Sequence, residues 1–265
     1  MSAESTRLRA VILDWAGTTV DYGSRAPVEV FVEIFRQRGV AITQAEAREP
    51  MGRSKREHIA AILAMPRVAV LWRQAHGHEP HDRDVLAMYD DFLPLQKRTL
   101  ERGSDIIPGV PEAIAQCRRR GLKIGSTTGY TRELMEVVTP QAARGGYVPD
   151  VTICSDDVPA GRPAPWMNFR AAESLGVYPM SAVATVDDTP IGIAAGLNAG
   201  TVTVAVSQTG NALGLSAAEV TALPEAELNT RIAVIEAEFI RLGADYVIRS
   251  VEELPGLLAK IESGL

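Results

Sequence analysis

Two cysteines in 265 residues, Cys117 and Cys154, are too few for a disulfide framework, and neither has neighbours that mark a reactive thiolate. No run of about 18 or more apolar residues occurs, so no membrane-spanning helix is expected. The opening Met1-Ser2-Ala3-Glu4-Ser5 lacks the basic-then-apolar order of a secretory leader, and a reducing cytoplasm is the expected location. Positive charge is in the minority: 27 Lys and Arg against 33 Asp and Glu leave a net −6. That balance argues against nucleic acid or an anionic membrane as partner and leaves a small molecule. There is no Walker pattern, no dinucleotide fingerprint, no repeat and no low-complexity tract. Histidine is scarce too. His76, His78 and His81 crowd one polar turn, without the cysteine or helical spacing that would suggest a metal site. Trp72 and Trp166 are expected to pack rather than to stack on ligands.

Short aliphatic runs fill the gap. Ala10–Leu13, Leu122–Thr127, Val151–Cys154, Ala182–Val186, Thr201–Val206 and Tyr246–Ile248 read as buried strands. Helical patterns lie between them: 111–120, 132–144, 164–175, 217–223 and 225–242. Such alternation predicts an α/β fold, a doubly wound parallel sheet. Ser216-Ala-Ala-Glu219 and Ser250-Val-Glu-Glu253 have capping-box spacing before the last helices. Between the first and second strands the pattern is all helical, with Pro27 in a first turn, Gly39 at a stop, and boxes at Thr43–Glu46 and Ser54–Glu57. This predicts an inserted all-helical cap domain at residues 22–103, with the core domain formed by 1–21 and 104–265.

The carboxyl ends of the strands carry the chemistry, because open α/β sheets bind ligands there. Asp14 ends the first strand and is followed by a Gly-Thr-Thr turn. Ile124-Gly-Ser-Thr-Thr-Gly129 ends in hydroxyls, and Thr128 with neighbouring N–H groups, Gly129 among them, suits a phosphoryl oxygen. Arg162, in Pro159-Ala-Gly-Arg-Pro163, is placed to neutralise one. Thr185-Val-Asp-Asp-Thr-Pro190 supplies two acids. A carboxylate attacks phosphorus only when anion repulsion is suppressed, which Mg²⁺ accomplishes. Asp14, Asp188 and the Ala16 carbonyl are the expected metal ligands, with Asp187 in a supporting place. This order of four patches resembles the haloacid dehalogenase-like superfamily. Two positions depart from its pattern: Ala16 stands where an acid usually protonates the leaving group, and Gly192 where a further acid is common.

Lys55 supplies a different solution. It falls in the first turn of a helix capped by Ser54, where the positive helix end and the flanking Arg53 and Arg56 should lower its pKa, and any burial under the cap would add to that. A neutral amine forms an imine with a carbonyl substrate. The protonated imine then accepts the electron pair of a breaking carbon–phosphorus bond, so no leaving-group acid is needed at position 16.

Five strings, namely 14–23, 38–43, 50–52 with Lys55, 125–132 and 156–163, closely resemble the phosphonoacetaldehyde hydrolases (phosphonatases). The resemblance covers nearly the whole chain. It implies hydrolysis of phosphonoacetaldehyde to acetaldehyde and phosphate, with Mg²⁺, in phosphonate degradation. It implies Asp14 as phosphorus nucleophile, Lys55 as Schiff-base lysine, and Asp14, Ala16 and Asp188 around the metal. It further implies a proton-shuttling role for His58, a site-lining one for Met51, and a homodimer. A phosphatase or phosphomutase, and a non-catalytic scaffold, are the rival readings.

Overall fold

A computed structural model of the chain describes residues 7–263; the stretch read for a leader lies outside them. Six strands form one parallel sheet: β1 (Ala10–Leu13), β2 (Lys123–Thr127), β3 (Val151–Ile153), β4 (Val183–Asp187), β5 (Val202–Val206) and β6 (Tyr246–Ile248). Their order is β3-β2-β1-β4-β5-β6, so the first strand is central. Ala10 faces Lys123 on one side and Val183 on the other.

Alternation along β1 shows how the sheet is covered. Val11 and Leu13 join one apolar cluster, whereas Ala10 and Ile12 join another. Successive strand side chains point to opposite faces, so both faces are buried. On the first face lie α6 (Val110–Arg119), α7 (Arg132–Arg144) and α12 (Leu254–Ser263). On the other lie α8 (Trp166–Leu175), α9 (Pro190–Ala199) and α11 (Glu225–Arg241), while α10 (Ala217–Ala222) is a short helix ahead of α11. The observed architecture is the expected doubly wound α/β sheet.

Five helices stand between β1 and α6: α1 (Arg25–Gln37), α2 (Gln44–Arg48), α3 (Lys55–Leu63), α4 (Pro66–His76) and α5 (Asp82–Gly103). They enclose their own apolar cluster, which includes Phe31, Phe35, Ile59, Ile62, Trp72 and Phe92. Helix α5 reaches out of it, because its buried stripe runs from Phe92 in this cluster to Leu100 in the main core. The boxes at Thr43 and Ser216 form as expected, and Ser54 accepts from the N–H of Glu57. Ser250 does not cap α12. A 3₁₀ turn at Val251–Glu253 intervenes, and Glu253 instead accepts from the N–H of Arg249.

Helix α9 escapes a periodicity reading because it has almost no polar face: Pro-Ile-Gly-Ile-Ala-Ala-Gly-Leu-Asn-Ala. Its glycines serve close packing. A Cβ on Gly196 would stand 2.4 Å from the Thr185 hydroxyl of β4. No described helix is long and apolar enough to cross a membrane.

Candidate active site

Strands β2, β1 and β4 are neighbours, so the residues at their carboxyl ends converge. The strand order reverses between β1 and β4, and a doubly wound sheet opens its crevice there. Asp14 follows β1, Thr128 follows β2, and Asp187 and Asp188 close β4. The turn after Asp14 is shaped for this convergence. Gly17 has φ +87°, and a Cβ there would lie 2.3 Å from Asp188 Oδ2. The Thr18 hydroxyl donates to Asp188 Oδ1 at 3.0 Å, and the Asn211 N–H donates to Oδ2 at 2.7 Å.

Arg162, in the loop after β3, is 4% exposed. One of its nitrogens donates to Asp14 Oδ1 at 2.6 Å and to Thr127; the other pairs with Asp187 Oδ2 at 3.1 Å. Burial acts to lower the pKa of the guanidinium, and the carboxylates of Asp14 and Asp187 overcome that and raise it. Asp187 is committed elsewhere as well, since its Oδ1 accepts from the N–H and the hydroxyl of Thr189.

Asp14, Asp187 and Asp188 are buried, with carboxylate oxygens within 4.8 Å of one another. The one guanidinium in contact serves Asp14 and Asp187. Asp188 has only neutral partners, and burial, then Asp14 and Asp187, push its pKa well above the carboxylate range. Three clustered acids have a single contacting arginine among them, so the oxygen donor set fits a cation. Hard oxygen donors suit Mg²⁺ or Ca²⁺ better than a soft metal.

One small pocket, about 20 Å³ in volume and partly open to solvent, is lined by Asp14, Ala16, Met51, Lys55, Thr128, Gly129 and Arg162, together with Tyr130 and Arg53. The structure thus brings most of the expected residues together. Lys55, at the start of α3, is 5% exposed; its Nζ sits 4.7 Å from the Tyr130 ring centroid and 5.6 Å from that of Phe31. Its pKa is lowered to about 8, and the main cause is burial, countered by Asp14 and reinforced by Arg162. The lowering is in the expected direction, but burial dominates it rather than the helix end or the flanking arginines, and Arg56 is exposed to solvent.

His58 is fully buried but does not line this cavity. It is stacked on Phe31 at 3.8 Å, one helical turn beyond Lys55. Its Nε2 is 2.8 Å from the Ala47 carbonyl, so Nε2 carries the proton and Nδ1 is left without a protein partner. Burial, then the charge of Lys55, drives its pKa well below the ordinary histidine value.

In the loop after β2, the Thr128 N–H is spent on the Ile153 carbonyl, and the Tyr130 N–H on the Thr128 hydroxyl oxygen. The Thr128 O–H and the Gly129 N–H are left to meet an anion. Gly129 has a further reason to be glycine. Its Cβ would lie 2.8 Å from the Arg53 carbonyl, where the α2–α3 loop presses on this loop. Tyr130 was missed as a site residue because its position, two beyond Thr128, carries no periodic signal. Among the clustered histidines, the His78 and His81 rings stack flat, with centroids 5.1 Å apart and 9° between planes.

A family model for haloacid dehalogenase-like hydrolases matches residues 8–200. Sheet order and strand-end acids agree with it, and the class of protein is a hydrolase of this superfamily. The relatives are more specific. The phosphonoacetaldehyde hydrolase of Bacillus cereus (strain AH820) is 48% identical over 256 residues, covering 97% of each chain. That of Syntrophobacter fumaroxidans is 44% identical over 96% of this chain and 92% of its own. A solved structure of a phosphonoacetaldehyde hydrolase-like protein from Oleispira antarctica superposes with a TM-score of 0.96, at 40% identity, covering 98% of this chain and 94% of that one. The chain belongs to the phosphonoacetaldehyde hydrolase family.

Proposed function

We propose that this enzyme hydrolyses the carbon–phosphorus bond of phosphonoacetaldehyde, giving acetaldehyde and phosphate, and that residues 22–103 act as a cap over a core of 1–21 and 104–265. The observation that carries the reading is the shared cavity: a buried amine from the helical segment and a strand-end carboxylate face the same space, with a methyl group at Ala16 where an acid would be needed for an alcohol leaving group.

The order of events follows from the groups. The neutral amine of Lys55 adds to the aldehyde carbonyl and water leaves, giving an imine that is protonated on nitrogen. Asp14 attacks phosphorus. The carbon–phosphorus electron pair moves into the iminium, forming an enamine on Lys55 and an acyl phosphate on Asp14. Protonation of the enamine carbon and hydrolysis of the imine release acetaldehyde. Water cleaves the aspartyl-phosphate and restores the carboxylate. Arg162, Thr128 and Gly129 hold the phosphoryl oxygens, Met51 packs at the amine's side, and His58 serves as a neutral proton carrier behind Lys55. Asp14, Asp188 and the Ala16 carbonyl would hold Mg²⁺, which when bound screens the charge between carboxylate and phosphonate. A homodimer is proposed on family grounds, and sedimentation would test it.

The deciding experiment is release of phosphate and acetaldehyde from phosphonoacetaldehyde, with Mg²⁺ and then with chelator. Equal, metal-dependent release of both products is expected, and borohydride should trap the organic fragment on Lys55. Turnover of sugar phosphates without any turnover of the phosphonate would overturn the reading in favour of an ester phosphatase.

A further inference from the structure

One arginine in the helical segment is bound in a way that neither the reaction nor simple surface charge explains. Arg48, the last residue of α2, is half-buried in the seam between the helical segment and the sheet domain. Among the described residues no carboxylate is within ion-pair distance of it. Its Nη1 donates to the carbonyl of Gly23 at 2.8 Å and to the Asn211 side-chain oxygen at 3.0 Å, with longer approaches to the carbonyls of Ser24 and Asn211. Its Nη2 donates to the Gly214 carbonyl at 3.0 Å. A planar fork thus ties three pieces of chain together: the turn before α1, the loop after β5, and α2.

Glycine makes room for this fork. Gly214 has φ +67°, and a Cβ there would lie 2.8 Å from the guanidinium carbon. Asn211 answers in both directions, because its side-chain N–H donates back to the Arg48 carbonyl at 3.2 Å. The same Asn211 gives its backbone N–H to Asp188 Oδ2 at 2.7 Å. A continuous path therefore runs from the end of α2, through a two-way amide pair, to the acid at the end of β4. The turn before α1 joins it independently, as the Gly23 N–H donates to the Thr209 carbonyl at 2.7 Å, and the Thr209 hydroxyl donates to Gly17 O at 2.8 Å.

We infer that Arg48 and Asn211 form a latch that holds the cap shut and, in the shut state only, orients Asp188. This rests on the cap and reaction proposed above. Arg48 is a positioning residue, since it touches neither the cavity nor the acids. Its bonds to neutral carbonyls explain why arginine is required. A guanidinium reaches several acceptors in one plane, whereas a lysine ammonium carries the charge as a single point. An uncharged partner set is also easily exchanged for water, which suits a contact that must open and close on every turnover.

The test is hydrogen exchange on the full-length protein with Mg²⁺, comparing Arg48→Met and Asn211→Ala with the unaltered enzyme. Amides of 49–58 and 128–131, which face each other across the seam, should exchange about tenfold faster in both variants, while those of β1 and β4 stay unchanged. The Mg²⁺ concentration for half-maximal phosphate release should rise in both variants, and Arg48→Lys should recover only a minor part of kcat. Unchanged seam exchange in both variants would overturn the latch. So would equal acceleration in β1 and β4, which would mark a merely structural arginine. Exchange needs no turnover, so an unaltered enzyme inert toward phosphonoacetaldehyde would defeat the proposed substrate while leaving the latch to be judged on exchange alone.

Discussion

The Cβ that Gly192 lacks would stand 1.9 Å from the carboxyl carbon of Asp187. The space an acid at position 192 would enter is thus already filled by a carboxylate from β4, held there by Arg162 and Thr189. Gly192→Ala should displace Asp187, release Arg162 and lower kcat by about tenfold or more, with a stability loss of about 1–3 kcal/mol. Adding Asp187→Ala should recover stability but not activity. Urea unfolding of the four members of that cycle would show the non-additivity; simple additivity would mean that the two side chains do not compete.

Lys55 should govern the pH dependence of the chemical step. Its pKa of about 8 means that the reactive amine is lost as pH falls, so imine trapping should drop about tenfold per pH unit below that value. Stability moves the same way. Because the folded pKa is depressed below the unfolded one, the unfolded chain binds more protons between about 8 and 10.5, and stability rises with pH across that window. Lys55→Met should therefore abolish trapping and raise stability at pH 7 by about 1–3 kcal/mol. A destabilised Lys55→Met protein would show that burial of the amine costs nothing.

Ala16→Asp restores the acid common in the wider superfamily. Here it would put a carboxylate in the cavity of Lys55 and favour the ammonium form. The pH midpoint for trapping should move upward, with about a tenfold slower rate at pH 7. An unchanged midpoint, read from the borohydride pH profile, would separate the two side chains.

Gly129→Ala tests the approach of the two bodies. The added methyl would press on the Arg53 carbonyl and prop the seam open, without touching the sheet. The expected result is a fall in kcat of about tenfold with a melting temperature close to the unaltered one. A large fall in melting temperature instead would make Gly129 a folding residue.

Much of this was legible in the chain. Strand-end acids are readable because an aliphatic run fixes the strand and the next residue falls at its rim, as with Val11–Leu13 and Asp14. Helices with caps were readable for the same local reason. Helix α9 was not, since an apolar segment with two glycines has no periodic face. Nor was the environment of Lys55. Its first-turn position is local, but its burial depends on Phe31 and Tyr130, which come from distant elements. The pairing of Asp187 with Arg162, and of Arg48 with Asn211, joins residues far apart in sequence, and no spacing announces such contacts.

The central place of β1 has a consequence for how the molecule comes into being. β1 leaves the ribosome before its partners β2 and β4, so Ala10 waits for Lys123 and then Val183. Five helices with their own apolar cluster emerge in the interval. They should collapse first, shortening the chain that must be closed before β1 meets β2, since loop closure costs entropy that grows with the length left flexible. The insert would then be a folding aid during synthesis, keeping an aliphatic, two-faced strand tethered close to the partner it has yet to meet.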